Sequence, residues 1–274
     1  MCELFSMSSR YPSTVNYSLH EFAKHGGLTH SNESGWGIAY FQDRDALLIR
    51  EAEPASDSPW VDFIAGQNLK STCVIAHVRL ASVGAPTLHN THPFRRALGR
   101  RFHVFAHNGT LHNIHDKYDG EALDDRPVGE TDSELAFCVL LQRLRPHWRD
   151  GDKEPTVETR FAIFADFAAE MLKLGAANFI YSDGDVLFVH AHRRVHEDGG
   201  VFSDSRPPGL SMRDYAAGER RREWACEGLK IDFPDAQAIL FASVPLDDEG
   251  WEALPEGTAL AVRHGRELGR VSTL

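Results

Sequence analysis

The sequence predicts an α+β protein with helices layered on mainly antiparallel sheets. Three observations lead there: short β-branched and aromatic runs crowd the chain up to Asn108, two long amphipathic helices occupy its middle, and strands return afterwards. The 274 residues, 42% hydrophobic and 25% charged, can bury a sizeable core. Residues 1–274 read as one domain, with 193–235 an irregular, loop-rich segment where Pro, Gly and charge are in excess.

In chain order, CELFSM (2–7) is the first strand. NYSLHEFAKHGG (16–27) follows as a helix that starts at Asn16 and stops at Gly26. GWGIAYF (35–41) and ALLIREA (46–52) are strands, and SPWVDFIAGQ (58–67) is a short helix with Pro59 at its first position. TCVIAHVRL (72–80) and FHVFAHN (102–108) are strands bounded by turn residues.

TDSELAFCVLLQRLR (131–145) carries apolar residues at 135, 136, 139, 140 and 144, the spacing of one buried helix face. Its opening T-D-S-E fits a capping box between Thr131 and Glu134. VETRFAIFADFAAEMLKLG (157–175) is a second long helix, closed by Gly175. AANFIYSD (176–183) and VLFVHAH (186–192) form a hairpin across a DGD turn, and AQAILFASV (236–244) and TALAVRHG (258–265) add two more strands.

A formal charge of −11 argues against nucleic acid or an anionic membrane as partner. The basic clusters RRALGRR (95–101) and ERRRE (219–223) are short and read as solvated faces. No apolar run is long enough to span a membrane, and no secretion signal opens the chain. The four cysteines, at 2, 73, 138 and 226, form no CxxC pair, so reduced thiols in a cytoplasm are expected. P-loop, GxGxxG and GxSxG motifs are absent. Fifteen histidines include the pairs His190/His192 and His89/His92, but no spacing resembles a dedicated zinc site. No metal and no other cofactor is expected.

Chemistry starts with Cys2. Removal of Met1 would give one residue both a thiol and a free α-amine, and an amine of pKa about 7.7–8.0 is partly neutral near pH 7 and can serve as base. The alternative is that Cys2 merely begins a buried strand. Arg79, in the apolar run AHVRLAS, either pairs with an internal carboxylate or reaches a ligand's carboxylate with its planar fork. In FAHNGTL, Asn108-Gly109 is either a hairpin turn or a pair of donors, side-chain amide and backbone N–H, for a developing oxyanion. Asp132 in PVGETDSE either answers the helix dipole or meets a substrate ammonium. Trp36 in SGWGIAY reads as a packing residue.

Taken in order, MCELFSMS, GWGI, AHVRLAS, NTHPF, AHNG and RPVGETDSE resemble the class II glutamine amidotransferases, N-terminal-nucleophile hydrolases, and most closely their free-standing bacterial members. The likeness continues through SVPLDDEGWEALPEGT (243–258) and spans most of the chain. It implies a four-layer αββα sandwich of two packed, mainly antiparallel sheets flanked by helices.

It also implies roles. Cys2 would attack the side-chain amide of glutamine, with its own α-amine as base. Asn108 and Gly109 would hold the oxyanion, Arg79 the α-carboxylate and Asp132 the α-ammonium. Ser82 stands where many members carry a hydroxyl or amide near the substrate. Ammonia would leave, and water would release glutamate from a γ-glutamyl thioester. Two departures stand out. Ser34 precedes GWG where relatives often have Asp, and with Met1 attached the Cys2 nitrogen is a peptide nitrogen that cannot act as base.

The resemblance leaves alternatives. Ammonia could pass to a separate synthase partner in trans or simply be released. The enzyme could act on a γ-glutamyl conjugate instead of glutamine, since only the leaving group differs. A catalytically inactive regulatory or binding subunit is the reading from another class.

Overall fold

A computed structural model describes residues 2–148, 154–215, 237–248 and 250–274. The cluster ERRRE (219–223), Cys226 and residues 216–235 of the expected loop-rich segment lie outside them.

The chain begins with β1 (Glu3–Ser13), α1 (Asn16–Lys24), β2 (Trp36–Gln42), β3 (Asp45–Glu51), α2 (Pro59–Gly66) and β4 (Ser71–Val78). There follow β5 (Phe94–Leu98), β6 (Arg101–Asn108), the single turn α3 (Ile114–Lys117), α4 (Asp132–Leu144) and α5 (Val157–Met171). The remainder is β7 (Asn178–Ser182), β8 (Leu187–Ala191), β9 (Glu197–Asp198), β10 (Val201–Phe202) and β11 (Ser211–Tyr215). It closes with β12 (Ala238–Ala242), β13 (Glu252–Ala253), β14 (Thr258–Arg263) and β15 (Arg266–Ser272).

Among the described residues two large antiparallel sheets result, a seven-stranded one ordered β13-β11-β12-β1-β4-β2-β3 and a six-stranded one ordered β15-β14-β8-β7-β6-β5, with β9 and β10 forming a separate two-stranded ribbon. Strand alternation decides what lies between the layers. In the first sheet Phe5, Met7, Ile38, Val74 and Leu240 face Leu19 and Phe22 of α1 and Val61 and Ile64 of α2. Their neighbours Leu4, Ala39, Ile75 and Phe241 point the other way, onto Val104, Ile180, Val189 and Leu260 of the second sheet. The opposite face of that sheet, with Phe105, Phe179 and Phe188, packs on Phe137 and Leu140 of α4 and Phe164 and Phe167 of α5. Three apolar seams therefore join four layers: helices, sheet, sheet, helices.

Helix starts follow their caps only in part. The Ser58, Thr131 and Thr156 hydroxyls accept the N–H groups of Trp60, Glu134 and Thr159. The Thr131/Glu134 capping box forms only one half: the Glu134 carboxylate takes the Val128 and Gly129 N–H groups and the Arg96 guanidinium instead. Asn16 is the first helical residue and not a cap, and its amide donates to Asn68 at 2.7 Å.

Within the loop-rich segment from 193, the described residues include the short strands β9, β10 and β11, and β11 joins the seven-stranded sheet beside β12. SMRDY is too short and polar to announce itself, yet Met212 and Tyr215 are buried by that pairing. The edge strand β15 is exposed and charged at Arg266, Glu267 and Arg270, and the edge strand β5 carries two half-buried arginines, so they too lack an apolar pattern. In β5 and β6 the basic run 95–101 is largely occupied within the fold: Arg95 lies over Phe102, Arg96 pairs with Glu134, and Arg101 pairs with Glu154.

Candidate active site

Antiparallel pairing brings the start of β1 beside the ends of β4 and β12. The β1–β4 register sets Glu3 opposite Val78, so Cys2 falls beside Arg79 one step further on. The Cys2 thiol is half-buried and lies in the grip of one residue: the Leu80 N–H donates to Sγ and the thiol donates to the Leu80 carbonyl, both at 3.2 Å. Desolvation pushes the thiol above its ordinary pKa. The Leu80 N–H and the Arg79 guanidinium oppose that rise, and Asp132 adds to it.

Arg79 is buried and has no carboxylate in hydrogen-bond reach among the described residues. Its Nη2 donates to the carbonyls of Val83 and Gly84 at 2.9 Å, and its Nη1 to Ala85 at 3.1 Å and Ser34 at 3.4 Å. One guanidinium thus gathers the loop after β4. Burial depresses its pKa, while Cys2 and Asp132 act to raise it. Ser34 holds the same loop by accepting the Ala81 N–H at 3.0 Å. Ser82 is exposed on that loop, its hydroxyl 3.4 Å from that of Thr110.

From the second sheet, β6 delivers Asn108, which is fully buried. Its Nδ2 donates to the Ser243 hydroxyl at 3.0 Å. That oxygen also accepts the Leu4 N–H at 3.0 Å, and the Ser243 N–H returns a bond to the Leu4 carbonyl at 2.9 Å. Asn108 Oδ1 is buried without a partner among the described residues. Ser243 was not among the residues singled out from sequence; a lone serine after an apolar strand carries no signal.

Asn108-Gly109 is no hairpin turn: the chain runs on, and Leu111 bridges to Gly175. Gly109 has φ +154°, and a β-carbon there would run into the Ala176 carbonyl. Gly175 answers it, since a β-carbon there would strike the Thr110 carbonyl. Asp132, at the first position of α4, is buried and accepts the Leu111 N–H at 2.7 Å. It therefore does more than face the helix dipole. The GETD loop is fixed by Asn90, whose Oδ1 takes the Glu130 N–H at 3.0 Å.

Cys2 thus lies within electrostatic reach of Arg79 and Asp132. Asn108 is linked through Ser243 to Leu4, two residues from Cys2, and Gly109 follows Asn108. Ser82 lies on the loop that Arg79 gathers. Histidines behind this site are kept neutral. Burial holds His77 down at about 3 and lowers His92 and His107 as well. His107 braces β6, with Nδ1 2.9 Å from the Ser133 hydroxyl and Nε2 2.9 Å from the Ala176 carbonyl. His190 and His192 are likewise occupied, with the Ala177 carbonyl and with Glu256. No helix of the described residues is long and apolar enough to cross a membrane.

With this geometry in hand, comparison with known proteins is informative. A sequence profile described as "Glutamine amidotransferases class-II" matches residues 1–273. A Haemophilus influenzae protein described as "Putative glutamine amidotransferase" is 36% identical over 196 residues, 72% of this chain and 65% of that protein. The chain therefore spans a little under two thirds of that relative's length. An Escherichia coli protein of similar description is 34% identical over 197 residues, covering 72% of this chain and 75% of its own. Among solved structures, a predicted glutamine amidotransferase from Pseudomonas aeruginosa superposes with a TM-score of 0.65 at 28% identity, covering 98% of this chain and all of that one.

Proposed function

The chain belongs to the class II glutamine amidotransferases, and we propose that it hydrolyses the side-chain amide of glutamine through a thioester on Cys2. The observation that carries this reading is the meeting of a thiol, a guanidinium, a carboxylate and a buried amide at one end of four strands and one helix. A zwitterionic amino acid needs one fixed cation and one fixed anion, and Arg79 and Asp132 supply them. The amide needs a nucleophile and oxyanion donors, and Cys2 with Asn108 and Gly109 supplies those.

In this reading, loss of Met1 frees the Cys2 α-amine, which takes the thiol proton directly or through water. Support comes from the surroundings of the sulfur. Its hydrogen-bond partners among the described residues are both backbone atoms of Leu80, and burial makes the histidines behind the site weak proton acceptors. Among the described residues no side chain is hydrogen-bonded to the sulfur to compete for the role of base.

Sulfur adds to the amide carbon, and the negative charge gathers on the amide oxygen. The Gly109 N–H and the Asn108 amide stabilise it. Half a turn of that amide lets the Ser243 O–H donate to Oδ1 and presents Nδ2 as the open donor. Collapse expels ammonia, which leaves with the proton the amine had accepted. Water then attacks the thioester and glutamate departs. Ser82 borders the substrate from the loop that Arg79 gathers.

One observation favours a second reading, a γ-glutamyl conjugate as substrate. A cleft of about 730 Å³ opens beside Thr110, walled by His112, Lys173, Gly175, Ala176 and Arg193, and has room for a leaving group larger than ammonia. Transfer of ammonia to a partner synthase in trans belongs to the first reading. The test is glutamate release from glutamine and from a panel of γ-glutamyl dipeptides by protein verified by mass to lack Met1. Cys2→Ala abolishes release; glutamine and every conjugate left intact by protein with a free Cys2 overturns both readings in favour of an inactive binding subunit.

A further inference from the structure

The residue after the nucleophile is an acid in a place where acids are scarce. Alternation turns Glu3 away from the sheet–sheet seam that holds Leu4 and toward the helix layer with Phe5 and Met7. Its side chain is 3% exposed. Two imidazoles close on it: His25, just past the end of α1, with Nδ1 2.6 Å from Oε2, and His30, with Nδ1 3.9 Å from Oε1. The two rings meet edge to face with centroids 4.5 Å apart. All three donor atoms lie within 4.8 Å of one another.

We propose that Glu3, His25 and His30 bind one divalent transition-metal ion of the zinc type, with water completing the coordination. Two imidazoles and one carboxylate are a borderline-soft donor set suited to such ions and poor for magnesium or calcium. A tetrahedral ion holding donors at about 2.0–2.1 Å spaces them roughly 3.3 Å apart. The separations of 2.6 and 3.9 Å straddle that value, so modest side-chain movement makes room. His25 must give up the Nδ1 proton it shares with Glu3 and keep its ring proton on Nε2.

The surroundings suit a cation. Asn32 donates to Glu3 Oε1 at 3.1 Å and orients the carboxylate. Glu197 is fixed by the Ser31 N–H and hydroxyl within electrostatic reach of His30. Arg194 lies within reach of Glu3 and offsets one of these two negative charges. His30, 20% exposed, gives the ion a way in. Bound metal would tie the first residue of β1 to the loop after α1 and so fix the strand that carries Cys2. Cys2 itself faces the other side of β1, which keeps the ion off the sulfur.

The test reads binding and not turnover, so it stands or falls apart from the glutaminase proposal. Metal-stripped full-length protein is titrated with Zn²⁺ followed by equilibrium dialysis, and with Co²⁺ followed by its visible spectrum. The expected result is one ion per chain, Co²⁺ bands of a four- or five-coordinate site, and a higher melting temperature with Zn²⁺. His30→Ala and the double change His25→Ala/His30→Ala lose at least about tenfold in affinity. His30→Ala alone, on a partly exposed loop, keeps the test open should the double variant not fold. Wild-type protein that binds neither ion, or binds them as tightly after His30→Ala, leaves Glu3–His25 an ordinary hydrogen-bonded pair and overturns the proposal.

Discussion

The Asn108 side-chain amide sits 3.0 Å from the Ser243 hydroxyl, and the same oxygen takes the Leu4 N–H at 3.0 Å. A single serine thus couples a donor from the second sheet to the strand that carries Cys2 in the first. An oxyanion donor acts chiefly in the transition state, so disturbing its support should lower kcat and spare KM. Ser243→Ala is expected to cut kcat roughly tenfold or more and Asn108→Ala by about 10²–10³, each with KM nearly unchanged. Steady-state kinetics on Met1-free protein check it; a KM effect without a kcat effect would contradict the assignment.

How much of this was legible beforehand follows from how each residue is held. Cys2, Arg79, Asn108, Gly109 and Asp132 sit in short motifs whose order is itself a signal, and the long helices and inner strands show regular apolar spacing. Ser243 was silent because its role exists only after β12 and β6 meet from different sheets. Strand β11 was silent because burial by its neighbours, not its own pattern, makes it a strand. Glu3, His25 and His30 were silent for the same reason: no ligand spacing in the chain announces three residues joined by the return of α1 onto β1.

Charge around the sulfur yields a prediction with opposite signs. Asp132 raises the Cys2 pKa and Arg79 lowers it. Asp132→Asn should therefore move thiol ionisation to lower pH, and Arg79→Ala to higher pH. The rate of Cys2 alkylation by iodoacetamide against pH reads both; shifts in the same direction would remove the electrostatic account.

Arg79 holds four carbonyls as well as facing the site, so its loss should show twice. Arg79→Ala is expected to raise KM for glutamine by about tenfold or more, as loss of ground-state binding does. It should also expose the segment 81–87 to limited proteolysis. Arg79→Lys cannot reproduce a planar fork across Val83, Gly84 and Ala85, and should resemble Ala more than wild type. Full activity in Arg79→Lys would show that charge alone suffices.

The close approach of 108–111 to 175–177 rests on two glycines facing one another's neighbouring carbonyls. Gly109→Ala must push the Ala176 carbonyl away and so shift the backbone N–H proposed as oxyanion donor. A kcat loss of about 10² or more is expected, comparable to removing a donor outright. Gly175→Ala moves the same segments from the other side and should lower kcat in the same sense. Unaltered kcat in both variants, with the fold intact by circular dichroism, would detach this seam from catalysis.

Away from the site, Glu170 on α5 sets a pH dependence of stability. Burial acts to raise its pKa, but Lys117, Arg143 and Tyr118 all donate to its carboxylate and hold it down at about 2. A carboxyl whose pKa is lower folded than unfolded binds its proton more tightly in the unfolded chain. Its contribution is thus fully present above the unfolded value of about 4.3 and fades as pH falls toward 2. The carboxylate is 31% exposed, so solvent screening reduces the contribution to about 1–2 kcal/mol. Glu170→Gln should accordingly be less stable than wild type at pH 7 by about that amount, with the gap closing as the pH drops below about 4. Urea unfolding across this range measures it, and a gap that widens in acid would show that the three donors do not act through the ionised carboxylate.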